Sequence, residues 1–293
     1  MKIILDRKLS ELTLEELFPQ TLFDTPCVSV DKNRDLWIAI EMCAQYLESA
    51  VDALIVVNQS NPIGTIGGRE ILSHLRKNTI PDSYFRTKIG DIFFNHFPQV
   101  EVKIKLDDLM NKWKNTGRAF SIISNQNAEY FSVSSRKMLE IGKRYKSGIS
   151  ISSFPKKKIV TFKEDELLGD ILNTMFKNHI RRLMLEDSNQ FISDRIILGE
   201  ISMILKYQDI SNLLDIPINK FKFEYVKEIT TDLTLNQICL IMDKMDHPCI
   251  VYQDSIVTPW DVCLILLSEN LTEFSGKTYQ QKKICPHCGK EID

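Results

Sequence analysis

Asp254-Ser255-Ile256-Val257-Thr258-Pro259-Trp260-Asp261 is the stretch of this sequence from which the fold can be inferred. A short apolar strand runs into a proline and then into an apolar helix, so residues 258–261 form a strand-to-helix corner. Thr258 and Asp261 lie three residues apart at this corner. There they can cap the helix by accepting hydrogen bonds from its free N–H groups, or they can hold the two hydroxyls of a ribose. Both roles stay open at this point, and the two are compatible.

The same corner recurs four times along the chain. Its reference position falls at residues 67, 134, 193 and 258, so neighbouring corners are 59 to 67 residues apart. A period this regular is typical of repeated structural units. The four corners span residues 64–70, 131–137, 190–196 and 255–261.

Each repeated unit has the same predicted order: strand, helix, strand, strand, helix. In the fourth unit the pattern predicts a strand over 225–230, a helix after Thr234, strands over 249–252 and 255–257, and a helix over about 260–267. Apolar residues recur at helical spacing from Leu235 to Met245, so we expect them to face the core. The second unit has the weakest pattern, with a short helix over 106–113 and one clear strand over 119–123.

The composition is that of a globular protein long enough for two domains, with 293 residues, 43% hydrophobic and 26% charged. A net charge of −2 gives no general attraction to nucleic acid or to an anionic membrane. No apolar run approaches the roughly 18 residues that span a bilayer, and the first sixteen residues carry no signal-peptide pattern. We therefore expect a soluble cytoplasmic protein with reduced, buried thiols at Cys27, Cys43, Cys239 and Cys263.

The repeated unit resembles the CBS domain, named for cystathionine β-synthase. The resemblance covers residues 8 to 270 and is strongest at Ile256-Val257-Thr258-Pro259-Trp260-Asp261. CBS domains pair into Bateman modules. The resemblance thus implies an α/β fold of the α+β kind, with tandem strand-helix-strand-strand-helix units paired into two modules. We predict the first module over 1–150, the second over 151–270, and a polar tail over 271–293.

In that family the clefts between paired units bind AMP, ADP, ATP or S-adenosylmethionine. The corner Asp accepts hydrogen bonds from both ribose hydroxyls, and the Thr or Ser hydroxyl and the helix N-terminus face ribose or phosphate. The chemistry fits, because a carboxylate accepts two donors at once and free N–H groups at a helix start favour phosphate. The resemblance implies such a site at Thr258 and Asp261, in the second module.

The other three corners depart from the family pattern. The first has Gly67 and Glu70; Glu70 is one methylene longer than Asp and can reach a ribose if the site repacks, or it is a surface helix residue. The second has Lys137, which cannot accept from a hydroxyl. The third has Ser193 followed by Ile196, which offers no acceptor. By residue type, the fourth corner is competent, the first is doubtful and the other two are degenerate.

Three basic residues are candidates for the same cleft. Arg181 and Arg182 precede a strand at a place where the family often has a basic residue that contacts phosphate, and the planar guanidinium suits phosphate oxygens. His247 occupies the matching point of the fourth unit. The structural alternatives are a solvated pair of arginines on a strand edge and a half-buried histidine with its hydrogen bonds satisfied.

The end of the chain, Cys285-Pro286-His287-Cys288-Gly289-Lys290, resembles one knuckle of a zinc ribbon. Cys285 and Cys288 at this spacing can bind one metal, but a structural zinc takes four ligands. No second Cys-x-x-Cys occurs in the sequence. Three outcomes stay open: two tails of a dimer share one zinc, a partner protein or His287 completes the site, or the pair binds no metal.

No catalytic constellation is evident in the sequence, so we do not expect an enzyme. The glycines at 64–68 have the wrong spacing for a dinucleotide fingerprint. The leading hypothesis is a regulatory sensor that binds an adenosine nucleotide or S-adenosylmethionine between the third and fourth units, as a homodimer with a regulated protein partner. The alternative is a scaffold or transcription-linked interaction protein that docks through its zinc-knuckle tail.

Overall fold

The computed structural model describes residues 8–46, 52–144, 148–205 and 210–268, together with the backbone of 283–284 and 291–292. Within these ranges, α-helices pack around several small β-sheets. The mixed α/β class predicted from the repeated pattern is confirmed.

The first unit forms a three-stranded sheet flanked by helices. β1 pairs in parallel with β2, and β2 pairs antiparallel with β3. The buried side chains of α2 recur at helical spacing, at Leu36, Ala39 and Ile40. The elements are α1 (Leu14–Leu17), β1 (Ser29–Asp31), α2 (Leu36–Gln45), β2 (Leu54–Asn58), β3 (Asn61–Ile66), α3 (Gly68–Leu75) and α4 (Pro81–Arg86).

The second unit contains α5 (Leu106–Thr116), β4 (Phe120–Ser124), β5 (Tyr130–Ser134) and α6 (Leu139–Arg144). α5 ends at Gly117, whose φ of 61° is readily adopted by glycine. The weak sequence pattern has a structural counterpart, because a single parallel bridge from Gln99 to Ile122 stands where the other units have a first strand.

The third and fourth units differ from the prediction at one point. The predicted strand over 225–230 is two strands: β9 pairs antiparallel with β8, and β10 pairs in parallel with β11. The N–H of Val226 donates to the carbonyl of Asn189, which ties this point to the preceding unit. The elements are β6 (Thr161–Phe162), α7 (Leu168–Asn178), β7 (Arg182–Leu185), β8 (Gln190–Ser193), α8 (Asp194–Leu205), β9 (Glu224–Tyr225), β10 (Lys227–Ile229), α9 (Leu235–Met242), β11 (Ile250–Tyr252), β12 (Ser255–Val257) and α10 (Pro259–Leu266).

The strand-to-helix corners differ in length. In the first, third and fourth units the last strand is followed by the last helix within one or two residues, at β3–α3, β8–α8 and β12–α10. In the second unit β5 ends at Ser134 and α6 begins only at Leu139. In the other three units the last helix therefore starts directly at the edge of a sheet.

Two large hydrophobic cores join units that are distant in sequence. The first core combines the first and third units, where α2 and α3 pack against α8 through residues such as Ile40, Ile71 and Ile197. The second combines the second and fourth units, where α6 packs against α9 and α10 through residues such as Leu139 and Ile238. The boundary between modules at residue 150 stays a prediction, and each core draws on both sides of it.

A third, smaller cluster connects the first and second units. It contains Ala53 and Ile55 of the first unit and Phe120 and Ile122 of the second. Contacts of this kind tie the two large cores together. In the part of the chain that the structure describes, no helix is both long and apolar enough to span a bilayer.

The packing of α6 against α9 gives a test of the second core. A Cβ added at Gly142 would overlap the sulfur of Cys239, whereas one added at Gly148 meets nothing within 4 Å. We expect Gly142→Ala to lower the free energy of unfolding by about 1–3 kcal/mol through overpacking, measured by urea denaturation. Gly148→Ala is the matched control and should be near neutral.

The same pair supports a double-mutant cycle. Removing the sulfur in Cys239→Ala should make the added methyl of Gly142→Ala less costly, giving a favourable coupling energy of about 0.5 kcal/mol or more. Additive effects of the two substitutions would contradict this packing of α6 on α9.

Candidate ligand-binding site

The four corners face one large cavity of about 750 Å³. This volume lies within the range of about 300–1,000 Å³ that small-molecule sites occupy. Its wall includes residues 67–70 at the start of α3, residues 135–136 after β5, residues 193–195 at the start of α8 and residues 258–260 at the start of α10. At the start of α8 the N–H groups of residues 194–196 already bond to Arg181, Asp194 and Ser193, so the helix starts at the wall differ in how many free N–H groups they present.

The cavity wall is strongly basic although the whole chain has a net charge of −2. Four acidic residues lie in the wall: Asp52, Glu70, Asp194 and Asp246. Nine lysines and arginines lie there too: Arg69, Lys114, Arg118, Arg136, Lys157, Lys158, Arg181, Arg182 and Arg195. A concave site with one dominant sign of charge focuses the field and concentrates ions of the opposite sign. The cavity therefore favours an anionic ligand.

The carboxylate of Asp261 closes the corner of the fourth unit. Its Oδ2 accepts hydrogen bonds of 2.8 Å from both the N–H and the hydroxyl of Thr258. This is the capping role anticipated from the sequence, since the third helical residue reaches back to the residue before the helix. Asp261 is fully buried, at 0% exposure.

The second oxygen of Asp261 has a different partner. The ammonium of Lys157 lies 2.5 Å from Oδ1, as an ion pair. The contact is not directed as a hydrogen bond, so Oδ1 is buried without a hydrogen-bond partner. Thr258 and Lys157 line the cavity, and Asp261 lies behind them. A ligand in the cavity reaches this carboxylate only if Lys157 moves.

Glu70 lies in the cavity wall and is already engaged. One of its oxygens accepts from the N–H of Gly67 at 3.1 Å and the other pairs with the guanidinium of Arg118. Arg118 in turn stacks over the ring of Phe94, with 4.0 Å from the guanidinium carbon to the ring centroid. The side chain of Glu70 is only 8% exposed, so it is not a solvated surface residue.

Ser193 caps the helix of the third unit, where its hydroxyl accepts from the N–H of Ile196 at 3.2 Å. Beside it, Asp194 pairs with Arg181, with 2.6 Å between Oδ2 and Nε. Asp52 of the first unit stands close to both Arg181 and Arg195, at 3.6 and 3.4 Å. Arg181 is thus held by two carboxylates from different units, and it is not a free pair with Arg182 on a strand edge.

This ion-pair cluster shifts the pKa values of its members. Burial opposes the ionisation of Asp194, but the charges of Arg181 and Arg195 and the hydrogen bond from Arg181 hold its pKa below the ordinary value. The charge of Asp194 outweighs burial at Arg181 and raises the pKa of the guanidinium. Both groups are therefore charged across the physiological range.

In the described part of the chain, Arg182 and Asp261 each have one buried polar atom that makes no hydrogen bond. The atom of Arg182 is Nε, and that of Asp261 is Oδ1. Arg182 lines the cavity. Buried polar atoms are nearly always hydrogen-bonded in folded proteins, so each exception calls for an explanation. Both of these atoms belong to residues that the sequence predicted as ligand contacts.

His247 stands where the large cavity meets a smaller one of about 330 Å³. Its ring packs against Phe191, with 6.2 Å between the ring centroids. Burial lowers the pKa of His247, and the charges of Arg182 and Arg195 lower it further. The imidazole is therefore neutral near pH 7 and close to the positive groups of the cavity.

The corner of the second unit is closed by the chain itself. The ammonium of Lys137 bonds to the carbonyl of Thr21 at 2.6 Å and pairs with Asp24 and Glu140 at 2.5 and 2.7 Å. Its side chain is 6% exposed. Lys137 occupies the corner position at which the fourth unit has Asp261, and it binds the segment around Thr21 and Asp24 to the second unit.

Several residues of the cavity were not predicted from the sequence. Asp194 follows Ser193 directly, but the repeat alignment placed the acidic position at Ile196, two residues later. Lys157 lies in a run of three lysines ahead of the apolar residues 159–162, and that run was the available signal. Arg118 and Arg136 belong to the second unit, whose weak pattern gave no reason to examine them.

Cys285 and Cys288 lie outside the described residues. The backbone on either side of them forms a short antiparallel pair, β13 (Lys283–Ile284) with β14 (Glu291–Ile292). Elsewhere in the described ranges, no group of three or more His, Cys, Asp or Glu side chains is arranged to hold a metal ion.

Comparison with known proteins supports the fold. Protein MJ1225 from Methanocaldococcus jannaschii, proposed as an archaeal homologue of γ-AMPK, superposes with a TM-score of 0.64 at 15% identity over 82% of this chain and 95% of that chain. An uncharacterised conserved protein from Pyrococcus horikoshii gives a TM-score of 0.48 at 12% identity, over 82% and 95% of the two chains. The CBS-domain protein ATU1752 from Agrobacterium tumefaciens gives 0.38 at 10% identity, over 46% and 97%.

No protein-family model and no curated protein sequence matches the chain. At 15% identity the similarity to the M. jannaschii protein is one of fold, and it extends over most of both chains. The shared fold agrees with the tandem CBS-domain architecture that the sequence resemblance implies.

Proposed function

We propose that this protein is a non-enzymatic, cytoplasmic regulatory sensor that binds an adenosine nucleotide in its central cavity. The observation that carries the proposal is a basic cavity beside two buried atoms that make no hydrogen bond. Asp261 Oδ1 lies behind the wall and is paired only with the ammonium of Lys157, and Arg182 Nε belongs to a residue of the wall. One is an acceptor suited to a ribose hydroxyl and the other a donor suited to a phosphate oxygen. A nucleotide carries both complementary groups.

Charge distinguishes between the two ligand classes that the sequence left open. Nine basic residues against four acidic ones attract the phosphates of AMP, ADP or ATP. S-adenosylmethionine carries a sulfonium and an ammonium against one carboxylate, so its net charge is positive. The electrostatics of the cavity therefore support a nucleotide over S-adenosylmethionine.

The phosphate contacts in this proposal come from the third and fourth units. Arg182 lines the cavity with its Nε buried and without a hydrogen-bond partner, and Arg181 is held in place by Asp194 and Asp52. An arginine that is already fixed loses little conformational freedom when it contacts phosphate. At the start of α10, Pro259 has no N–H, and the N–H groups of Asp261 and Val262 bond to the carbonyl of Thr258. Trp260 therefore supplies the remaining backbone donor.

The ribose contact belongs to Asp261 rather than to Glu70. Both oxygens of Glu70 are satisfied by hydrogen bonds or ion pairs within the chain. Asp261 Oδ1 also has an ion-pair partner, but Lys157 is 38% exposed and makes no directed hydrogen bond, so a ligand can replace it more easily than it can replace Arg118. Ser193 is occupied as a helix cap, so the corner of the fourth unit is the stronger candidate.

Signalling follows from the position of the cavity between the two cores. A ligand that touches the corners of several units can favour one relative arrangement of those units over another. It shifts the equilibrium between two such arrangements only by the difference in its affinity for them. The same logic extends to a homodimer and to a regulated protein partner, both of which stay part of the proposal.

The test is a binding titration with AMP, ADP, ATP and S-adenosylmethionine, supported by thermal shift. We expect the nucleotides to bind and Asp261→Asn to weaken them about tenfold or more, since a hydrogen bond to a charged group contributes about 1.5–3 kcal/mol. Asp170→Asn is the matched control, because Asp170 caps α7 in the same way but is exposed and outside the cavity wall. Equal binding by Asp261→Asn and Asp170→Asn would refute the ribose contact, and no binding by any of the four compounds would refute the function.

His247 gives a second test of the same proposal. Its pKa is lowered in the free protein by burial and by Arg182 and Arg195, and a phosphate in the cavity should raise it again. Binding then takes up a proton, so affinity for AMP should rise as pH falls below about 6.5. His247→Gln should lose this component. The ratio of wild-type to variant affinity, measured from pH 8 to pH 5.5, removes the titration of the ligand itself; a flat ratio would contradict proximity of His247 to the phosphate.

The paired strands β13 and β14 favour a second candidate function, docking through a zinc-bound tail. A short antiparallel pair brackets Cys285 and Cys288, as expected for a thiolate knuckle. Two thiolates are half of a structural zinc site, so two tails sharing one ion would also hold a dimer together.

Metal analysis tests the tail directly. We expect about one zinc per two chains in the purified protein, because four ligands are needed. Cys288→Ser should release the metal, and Cys27→Ser should not. Absence of zinc from protein purified without chelators would contradict a zinc-dependent tail, and one zinc per chain would assign the remaining ligands to the same chain.

A further inference from the structure

The main chain of Lys157 is fixed against the last strand of the fourth unit. Its N–H donates to the hydroxyl of Ser255 at 2.8 Å, and the next residue, Lys158, forms an antiparallel bridge with Ser255. From this anchor the side chain reaches Asp261, with 38% of its own surface exposed in the cavity. The ammonium is therefore the mobile part of a contact whose other elements are rigid.

The buried carboxylate of Asp261 depends on the ammonium of Lys157 for charge compensation. Thr258 supplies both hydrogen bonds to Oδ2, and Lys157 supplies the positive charge beside Oδ1. Removing the cation from a buried carboxylate is costly unless another group compensates. A ribose hydroxyl can donate to Oδ1, but it brings no positive charge. It replaces only the hydrogen-bonding part of what Lys157 provides.

We propose that Lys157 makes ligand binding conditional on a phosphate group. To reach Asp261 the ribose must displace the ammonium, and the displaced ammonium needs a new anion in the cavity. A phosphate on the same ligand supplies it, whereas a nucleoside does not. This inference rests on the proposed function, and it adds a rule of selectivity to it: nucleotides are admitted and unphosphorylated nucleosides are excluded.

Three of the four acidic residues in the cavity wall reinforce this rule, and Asp246 is the fourth. Glu70 is paired with Arg118, and Asp194 and Asp52 with Arg181. These carboxylates already have cationic partners, so they are poor acceptors for a displaced lysine. An incoming phosphate is the better partner for the ammonium.

The experiment compares adenosine with AMP by calorimetric titration of the wild type, Lys157→Met and Lys158→Met. In the wild type, AMP should bind at least about a hundredfold more tightly than adenosine, from two or more charge-assisted contacts. Lys157→Met should bind adenosine about tenfold more tightly than the wild type does, because Asp261 is uncovered. Lys158→Met is the matched control: it lowers the charge of the same cavity wall without touching this contact, so AMP weakens and adenosine is unchanged.

The gain in adenosine affinity separates this role from simple phosphate contact. A lysine that only touches phosphate would weaken AMP and leave adenosine unaffected; that result in Lys157→Met would overturn the inference while leaving the proposed function intact. Binding of neither compound by any variant would overturn both. If Lys157→Met fails to fold, Lys157→Gln replaces it in the experiment. Lys157→Arg should keep the wild-type ratio of AMP affinity to adenosine affinity, and a changed ratio in this variant would also contradict the inference.

Discussion

The structure of the candidate site depends on one buried carboxylate. Asp261 is fully enclosed, yet it has only two hydrogen bonds, both from Thr258 to the same oxygen. Its other oxygen is balanced by the charge of Lys157 without a directed hydrogen bond. The capping contact uses only the N–H and the hydroxyl of Thr258 and one oxygen of Asp261. The excess acceptor capacity and the cation placed over it are what distinguish this corner from an ordinary helix start such as that of α7, where Asp170 performs the capping in solvent.

The cavity exists because the two large cores join non-adjacent units. Packing of the first unit on the third, and of the second on the fourth, turns the corners of all four inward. Each corner brings polar side chains with it, and three of the four are helix starts, so a concentration of charge at the centre follows from the repeat. The chain offsets part of this charge with ion pairs across units, such as those of Asp52 with Arg181 and Arg195. The remaining excess of positive charge is uncompensated by the described residues of the wall, and an anionic ligand would lower its electrostatic energy.

The sequence was sufficient for the fold and for part of the site. Helical and strand periodicity survives divergence, because burial requires it, and so the mixed α/β class and most elements were predictable. The capping role of Thr258 and Asp261 was also local and therefore readable. The strand predicted at 225–230 is confirmed over Lys227–Ile229 as β10, whereas Tyr225 belongs to β9 and Val226 hydrogen-bonds to Asn189 of the preceding unit. Lys157 and Arg118 were missed because their partners, Asp261 and Glu70, lie 104 (261−157) and 48 positions away. Asp194 was missed because it is displaced by two residues from the acidic position of the repeat, and periodicity in one sequence shows neither feature.

The asymmetry among the four corners has a common physical basis. At the first corner Arg118 occupies the carboxylate of Glu70, and at the second Lys137 is held by Thr21, Asp24 and Glu140. At the third, Ser193 is satisfied by the N–H of Ile196. In each case the chain supplies a partner for the polar group that a ligand would otherwise meet, and a group so satisfied gains little from exchanging that partner for a ligand. At the fourth corner the partner is a half-exposed lysine on the cavity wall, which a ligand can replace more easily than a buried one. The corner that is least well satisfied by the protein is thus the one where a ligand has most to contribute.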